Sequence, residues 1–99
     1  MSAPAKEGLD ARLLETFLEF VRIDSPTGGE AAFGRHLAAA LAAAGMAVRF
    51  DSAEERTDSE CGNIIAELPG TAPGLTLVLS GHMDTVEPGR GIVPVVADG

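Results

Sequence analysis

The sequence predicts an α/β fold in which two helices precede a sheet of short strands. Apolar side chains recur every three or four positions in the first 45 residues, which is the spacing of one helical face. Farther along, apolar and β-branched residues form short runs, and Gly and Pro separate these runs as they separate strands. This order of elements indicates an α/β or α+β arrangement with at least one sheet edge left open.

Composition limits the classes of function. The chain has 99 residues, and its 7 basic and 15 acidic residues give a net charge of −8. Nucleic-acid binding is not expected, because it draws on a surplus of Lys and Arg and on aromatic side chains, which are scarce here. The single Cys61 cannot form an internal disulfide, and the N-terminal residues lack the apolar core of a signal peptide. We expect a cytoplasmic protein that contacts neither nucleic acid nor a membrane.

The first helix is predicted over residues 9–23, after a flexible tail at residues 1–8. Its apolar positions share one face, which indicates packing in a core, and Asp10 suits the N-cap. A turn of sequence Ser-Pro-Thr-Gly-Gly-Glu follows at residues 25–30. Thr27 and Glu30 have the spacing of a capping box, so this turn is expected to start the second helix.

The second helix is predicted over residues 31–44, which are rich in Ala. Gly45 stands where a helix ends in the left-handed conformation. His36 has no second ligand four residues away on this helix, so we interpret it as a surface histidine.

Three strands are predicted in the second half of the chain. Residues 46–51 alternate as a half-buried strand, and residues 63–68 follow a polar loop. A Pro- and Gly-rich connection leads to residues 75–80, which predicts an antiparallel hairpin between the second and third strands. Residues 75–79 are nearly all apolar, as expected of a strand covered on both faces. A further β-branched run occupies residues 92–97.

A histidine and a carboxylate follow the third predicted strand. His82 and Asp84 are two positions apart, so they point the same way if the extended backbone continues. Imidazole is the commonest metal ligand, and a carboxylate can hold its second nitrogen. His82 and Asp84 therefore form such a pair, or both face a metal, or they are an unrelated pair at the end of a strand.

The sequence around this pair resembles the first metal-site motif of the M20 metallopeptidase family. The matching stretch reads Leu79-Ser80-Gly81-His82-Met83-Asp84-Thr85-Val86. The turn at residues 25–30, the Ala-rich helix and residues 62–66 match other parts of the family in order. Residues 87–94 resemble the tripeptidase-T-like branch, and the resemblance extends over nearly the whole chain from about residue 9.

The resemblance implies the N-terminal part of a zinc-exopeptidase-like mixed sheet flanked by helices. Residues 9–99 would be a partial catalytic domain without the lid, or dimerisation, domain. His82 would bind one of two zinc ions, and Asp84 would be the catalytic-site carboxylate that steadies it. The family hydrolyses peptide or N-acyl amino-acid bonds, with a glutamate as general base and an aspartate that bridges the metals.

Glu87 and Asp98 do not match the general base or the bridging aspartate, so the 99 residues alone are expected to be inactive. The alternative is a non-enzymatic truncated module that binds metal weakly or associates through an open sheet edge. A third possibility is that His82 and Asp84 are only structural.

Overall fold

A computed structural model of the chain describes residues 6–98, and within this range it confirms the predicted α/β class. Neither helix in the range has the length and apolar content needed to cross a bilayer. The elements, in chain order, are α1 at Lys6–Val21, α2 at Ala31–Ala43, β1 at Ala47–Phe50, a 3-10 helix at Ala53–Arg56, and β2 at Ile64–Glu67.

Helix α1 begins earlier than the sequence pattern predicts. It starts at Lys6, so residues 6–8 of the expected tail are helical, whereas residues 1–5 lie outside the described part of the chain. Asp10 is therefore inside the helix and not at its N-cap. Lys and Glu are good helix formers, so the backbone stays helical before the apolar stripe starts. The helix ends at Val21 and not at residue 23.

Helix α2 ends as predicted, with Gly45 in the left-handed conformation at φ +93°. The N–H of Gly45 donates to the carbonyl of Ala42 (3.0 Å), and the N–H of Met46 donates to that of Leu41 (3.2 Å). This pair of bonds is a Schellman motif, which satisfies carbonyls that the helix itself leaves free. The motif turns the chain directly into β1.

Helices α1 and α2 meet through an aromatic cluster. The rings of Phe20 and Phe33 lie edge to face with centroids 5.3 Å apart, and His36 lies edge-on to Phe20 at 5.6 Å. His36 Nε2 is also 2.9 Å from Glu19 Oε1, and its side chain is 37% exposed. The predicted surface histidine is therefore half-buried and links the two helices.

Strand β2 pairs with β1 and not with residues 75–80, so the predicted hairpin is wrong. The antiparallel register runs from Ala47 opposite Glu67 to Phe50 opposite Ile64. Asp51 explains this choice of partner, because its carboxylate accepts hydrogen bonds from both the backbone N–H (2.7 Å) and the side-chain amide (3.0 Å) of Asn63. These bonds close the loop between β1 and β2 and fix them as a hairpin.

Residues 75–80 are not a strand, and they are not covered. The side chains of Leu75, Leu77 and Leu79 are largely exposed, as are Val93 and Val95 in the β-branched run near the end of the chain. In residues 6–98 no apolar residue is fully buried. The prediction of a strand covered on both faces at residues 75–79 is therefore wrong for the part of the chain that the structure describes.

Candidate functional site

The structure brings the side chains of His82 and Asp84 to the same side of the backbone. His82 Nδ1 is 3.5 Å from Asp84 Oδ1. The imidazole is 92% exposed and the carboxylate 31% exposed, so solvent reaches the histidine freely. Because Nδ1 faces Asp84, the outer nitrogen, Nε2, is left accessible to a ligand.

The turn at residues 25–30 holds the backbone on both sides of Asp84. The hydroxyl of Ser25, which is 2% exposed, donates to the carbonyl of Met83 (2.7 Å). The N–H of Thr85 donates to the carbonyl of Ser25 (2.8 Å), and Pro26 and Thr85 form an isolated parallel bridge. This bridge, and not a regular strand, sets the path of the His-x-Asp segment.

Thr27 in the same turn contacts the candidate site directly. Its hydroxyl donates to Asp84 Oδ2 at 2.7 Å, across a separation of 57 residues. The predicted capping box is therefore wrong, since its Thr hydroxyl is directed to Asp84. Glu30 occupies the N-cap position of α2 without a side-chain cap bond, and its carboxylate accepts from the N–H of Gly28 (2.6 Å).

Glu30 anchors the turn from inside. It is 8% exposed, and its carboxylate also accepts a hydrogen bond from the hydroxyl of Ser59 (2.6 Å). Burial works to raise the pKa of Glu30, but the hydrogen bonds from Ser59 and from backbone N–H groups outweigh it, so the pKa is lowered. Glu30 is therefore an ionised structural group behind the site.

An open apolar depression of about 230 Å³ lies beside the pair. His82, Met83, Asp84 and Thr85 line one edge, and Phe17, Phe20 and Phe33 of the two helices contribute the apolar wall. The depression is smaller than the about 300–1,000 Å³ of typical small-molecule pockets and is open to solvent, so in the described residues it is a partial site at most.

The pair fits part of a metal site. In the described range no cluster of three or more His, Cys, Asp or Glu side chains is placed to hold a metal ion. His82 and Asp84 provide an imidazole and a carboxylate, whereas a catalytic zinc takes three protein ligands. Glu87 lies 2.9 Å from Arg90, as an ion pair next to the site. A zinc ion held by this pair would therefore need ligands from further residues.

The sequence pattern missed the roles of Ser25 and Thr27. Both residues lie in the turn at residues 25–30, which matched the family in order beside the His-x-Asp motif. That shared order was the available signal, but local capping rules assigned Thr27 to helix α2. Contacts between residues 57 positions apart cannot be obtained from spacing along the chain.

Comparisons with known proteins support a likeness to part of a peptidase. No protein-family model matches the sequence. The chain is 42% identical over 90 residues to the uncharacterized protein YqjE of Bacillus subtilis (strain 168), a match that covers 91% of this chain and 24% of that protein.

A solved structure gives the same result. The chain matches the crystal structure of aminopeptidase PepT from Bacillus cereus ATCC 10987 with a TM-score of 0.85 and 39% identity, over 90% of this chain. The match covers 24% of the PepT chain, so the sequence spans about a quarter of the length of the proteins that it matches. Over that quarter it shares the fold of an aminopeptidase.

Proposed function

We propose that this chain is the N-terminal part of the catalytic domain of an M20-type metallopeptidase of the tripeptidase-T-like branch. The complete protein would hydrolyse a peptide or N-acyl amino-acid bond. One observation carries the proposal: an imidazole and a carboxylate lie together, 3.5 Å apart, at the edge of an apolar depression. The 39% identity to part of an aminopeptidase supports it.

Each residue of the pair has a distinct role in this proposal. His82 binds one metal ion through Nε2, and Asp84 faces Nδ1 and fixes the tautomer and orientation of the ring. We propose zinc, two ions per complete site, which when bound polarises the amide carbonyl and supplies an activated water. The turn at residues 25–30 holds Asp84 in place.

The remaining groups belong to other parts of the complete protein. These are the general base, the bridging aspartate and the second histidine ligand, together with a lid domain. Residues 9–99 are accordingly a partial catalytic domain, and we expect the 99 residues alone to be inactive. The complete protein is proposed to act in the cytoplasm, without contact with nucleic acid or membranes.

A second candidate function is a non-enzymatic module that associates through its open sheet edge. The exposed apolar side chains of Leu75, Leu77 and Leu79 favour it, because a contiguous exposed apolar patch is typical of an association surface. The reading frame beyond codon 99 separates the two candidates. A continuation with an aspartate and a Glu-Glu pair supports the enzyme, and a stop codon supports the module.

The complete protein that carries this chain provides the test. We would remove metal with a chelator, add back zinc, manganese or cobalt, and measure the hydrolysis of dipeptides, tripeptides and N-acyl amino acids. His82→Ala is the test variant, and His36→Gln is the matched control because these are the two histidines in the chain.

We expect metal-dependent hydrolysis in the unmodified protein and in His36→Gln. The activity of His82→Ala should be more than about 100-fold lower than that of the unmodified protein. This exceeds the loss seen when a residue that only supports a metal ligand is changed. Hydrolysis that survives chelation, or that His82→Ala retains in full, would contradict the proposal.

A further inference from the structure

We infer that Thr27 is a positioning residue that fixes the carboxylate of Asp84 beside His82, an inference that rests on the proposed function for its catalytic consequence. Thr27 has no assigned role in the metal-site motif, and in the sequence it looks like a helix cap. The structure directs its hydroxyl to Asp84 instead.

The two oxygens of Asp84 face different partners. Oδ2 accepts a hydrogen bond from the hydroxyl of Thr27 at 2.7 Å, which is the distance of a strong, charge-assisted hydrogen bond. Oδ1 is 3.5 Å from His82 Nδ1, which is longer than a hydrogen bond. In the described part of the chain, Asp84 is therefore held by Thr27 and not by His82.

His82 cannot orient the pair. Its side chain is 92% exposed, so none of the residues that the structure describes packs firmly enough to fix the imidazole ring. The polar group that faces the ring is Asp84, whose Oδ1 lies 3.5 Å from Nδ1 and needs only a small approach to accept a hydrogen bond from it. Thr27 therefore fixes the position of the Asp84 carboxylate, and the carboxylate in turn limits the orientation of the His82 ring.

Thr27 is itself held on both sides. The preceding Pro26 is buried, has a restricted φ and forms the bridge to Thr85. The following Gly28 donates its N–H to Glu30 (2.6 Å) and accepts from the N–H of Glu60 (3.1 Å). Because the backbone around Thr27 is fixed, its hydroxyl donates to Asp84 from a fixed position.

The chemistry explains why a hydroxyl serves here. It donates a hydrogen bond to the carboxylate without adding a charge, so the carboxylate remains the negative partner of an imidazole bound to metal. Valine has nearly the same shape as threonine but has no donor. Thr27→Val therefore removes the bond alone, and Thr27→Ser retains it.

The experiment uses the complete protein with three variants: Thr27→Val, Thr27→Ser and, as control, Thr71→Val in an exposed connection. The first measurement is the χ1 rotamer of Asp84, from crystal structures of the proteins without metal. The second is cobalt affinity, obtained by competition with a chelator and read from the visible spectrum. The third is kcat and KM separately.

We expect one Asp84 rotamer in the unmodified protein, in Thr27→Ser and in Thr71→Val, and several in Thr27→Val. Cobalt affinity and kcat should fall about 10-fold in Thr27→Val, within the range for residues that support a metal ligand. KM should change little, because Thr27 does not line the depression beside the pair. Thr27→Ser should restore all three values.

Two results would overturn the inference. One is a single, unchanged Asp84 rotamer in Thr27→Val, and the other is an equal loss in Thr27→Ser and Thr27→Val, which would make the hydroxyl irrelevant. If the unmodified protein neither binds cobalt nor cleaves peptides, the proposed function fails, and the rotamer alone still decides the role of Thr27.

Discussion

Replacing Gly62 with alanine tests whether the closed loop between β1 and β2 holds the hairpin together. A Cβ at position 62 would overlap the backbone oxygen of Asp51 and lie 2.6 Å from Glu54 Oε2. The Glu54 side chain can move away, but the backbone of Asp51 cannot move without straining its N–H bond to the carbonyl of Asn63 (2.9 Å).

Forcing an extra methyl group into such a contact costs about 1–3 kcal/mol. A change of 1.4 kcal/mol is tenfold in an equilibrium constant, so the hairpin should open about 5- to 150-fold more often. Native-state hydrogen exchange of the β1 and β2 amides in the complete protein measures this opening directly.

Gly70→Ala is the matched control. The nearest atom to a Cβ at Gly70 is the carbonyl oxygen of Ala72 at 3.7 Å, an ordinary contact, so its exchange rates should stay near those of the unmodified protein. Exchange in Gly62→Ala no faster than in Gly70→Ala would refute the account of the loop.

Two predictions concern titratable groups. Hydrogen bonds from the side-chain amide of Asn63 and from the N–H groups of Ala53 and Asn63 lower the pKa of Asp51 below its usual 3.8. The stability that Asp51 gives the hairpin is therefore present above pH 3.8 and lost as the pH falls through the lower, folded-state value. Amide exchange followed as the pH is lowered should show this loss, and Asp51→Asn should show little of it; equal pH dependence in both proteins would contradict the prediction. Burial, and then the charges of nearby carboxylates with Glu30 first, raise the pKa of Cys61 above its usual 9.0. Alkylation with iodoacetamide at neutral pH should therefore be slower in the native protein than in urea, and equal rates would rule out the raised pKa.

The helices were predictable because their signals are local. The apolar periodicity of α1 and the left-handed Gly45 after α2 depend on neighbours a few residues away. The start of α1 was missed because helix propensity before the apolar stripe extended it to Lys6.

Strand pairing was not predictable by the same means. Residues 63–68 could pair with either neighbouring run, and the turn residues that follow them favoured the wrong one. The choice depended on Asp51, whose carboxylate accepts hydrogen bonds from Asn63 across the 11 residues between them. The spacing of apolar residues carries no information about such a side-chain contact. The apolar run at residues 75–79 likewise predicts a covered strand, but in the described part of the chain it is exposed and does not form a strand.

In the candidate site too, the sequence predicted the local contacts and missed the long-range ones. His82 and Asp84 are two positions apart, so an extended backbone predicts that they share one side, as they do in the structure, and the resemblance to a family motif predicts their chemistry. Ser25 and Thr27 reach them from a turn more than 50 residues earlier, and this contact required the fold. A polar residue that matches a local capping motif can therefore form its hydrogen bond with a residue far away in the sequence instead.

The most direct test of the central claim is anomalous X-ray diffraction at the zinc edge from crystals of the complete protein. We expect a zinc peak about 2.0–2.1 Å from His82 Nε2, the usual distance of a Zn–imidazole bond, with the Asp84 carboxylate directed to Nδ1 of the same ring. Zinc bound at other residues, with none at His82, would contradict it.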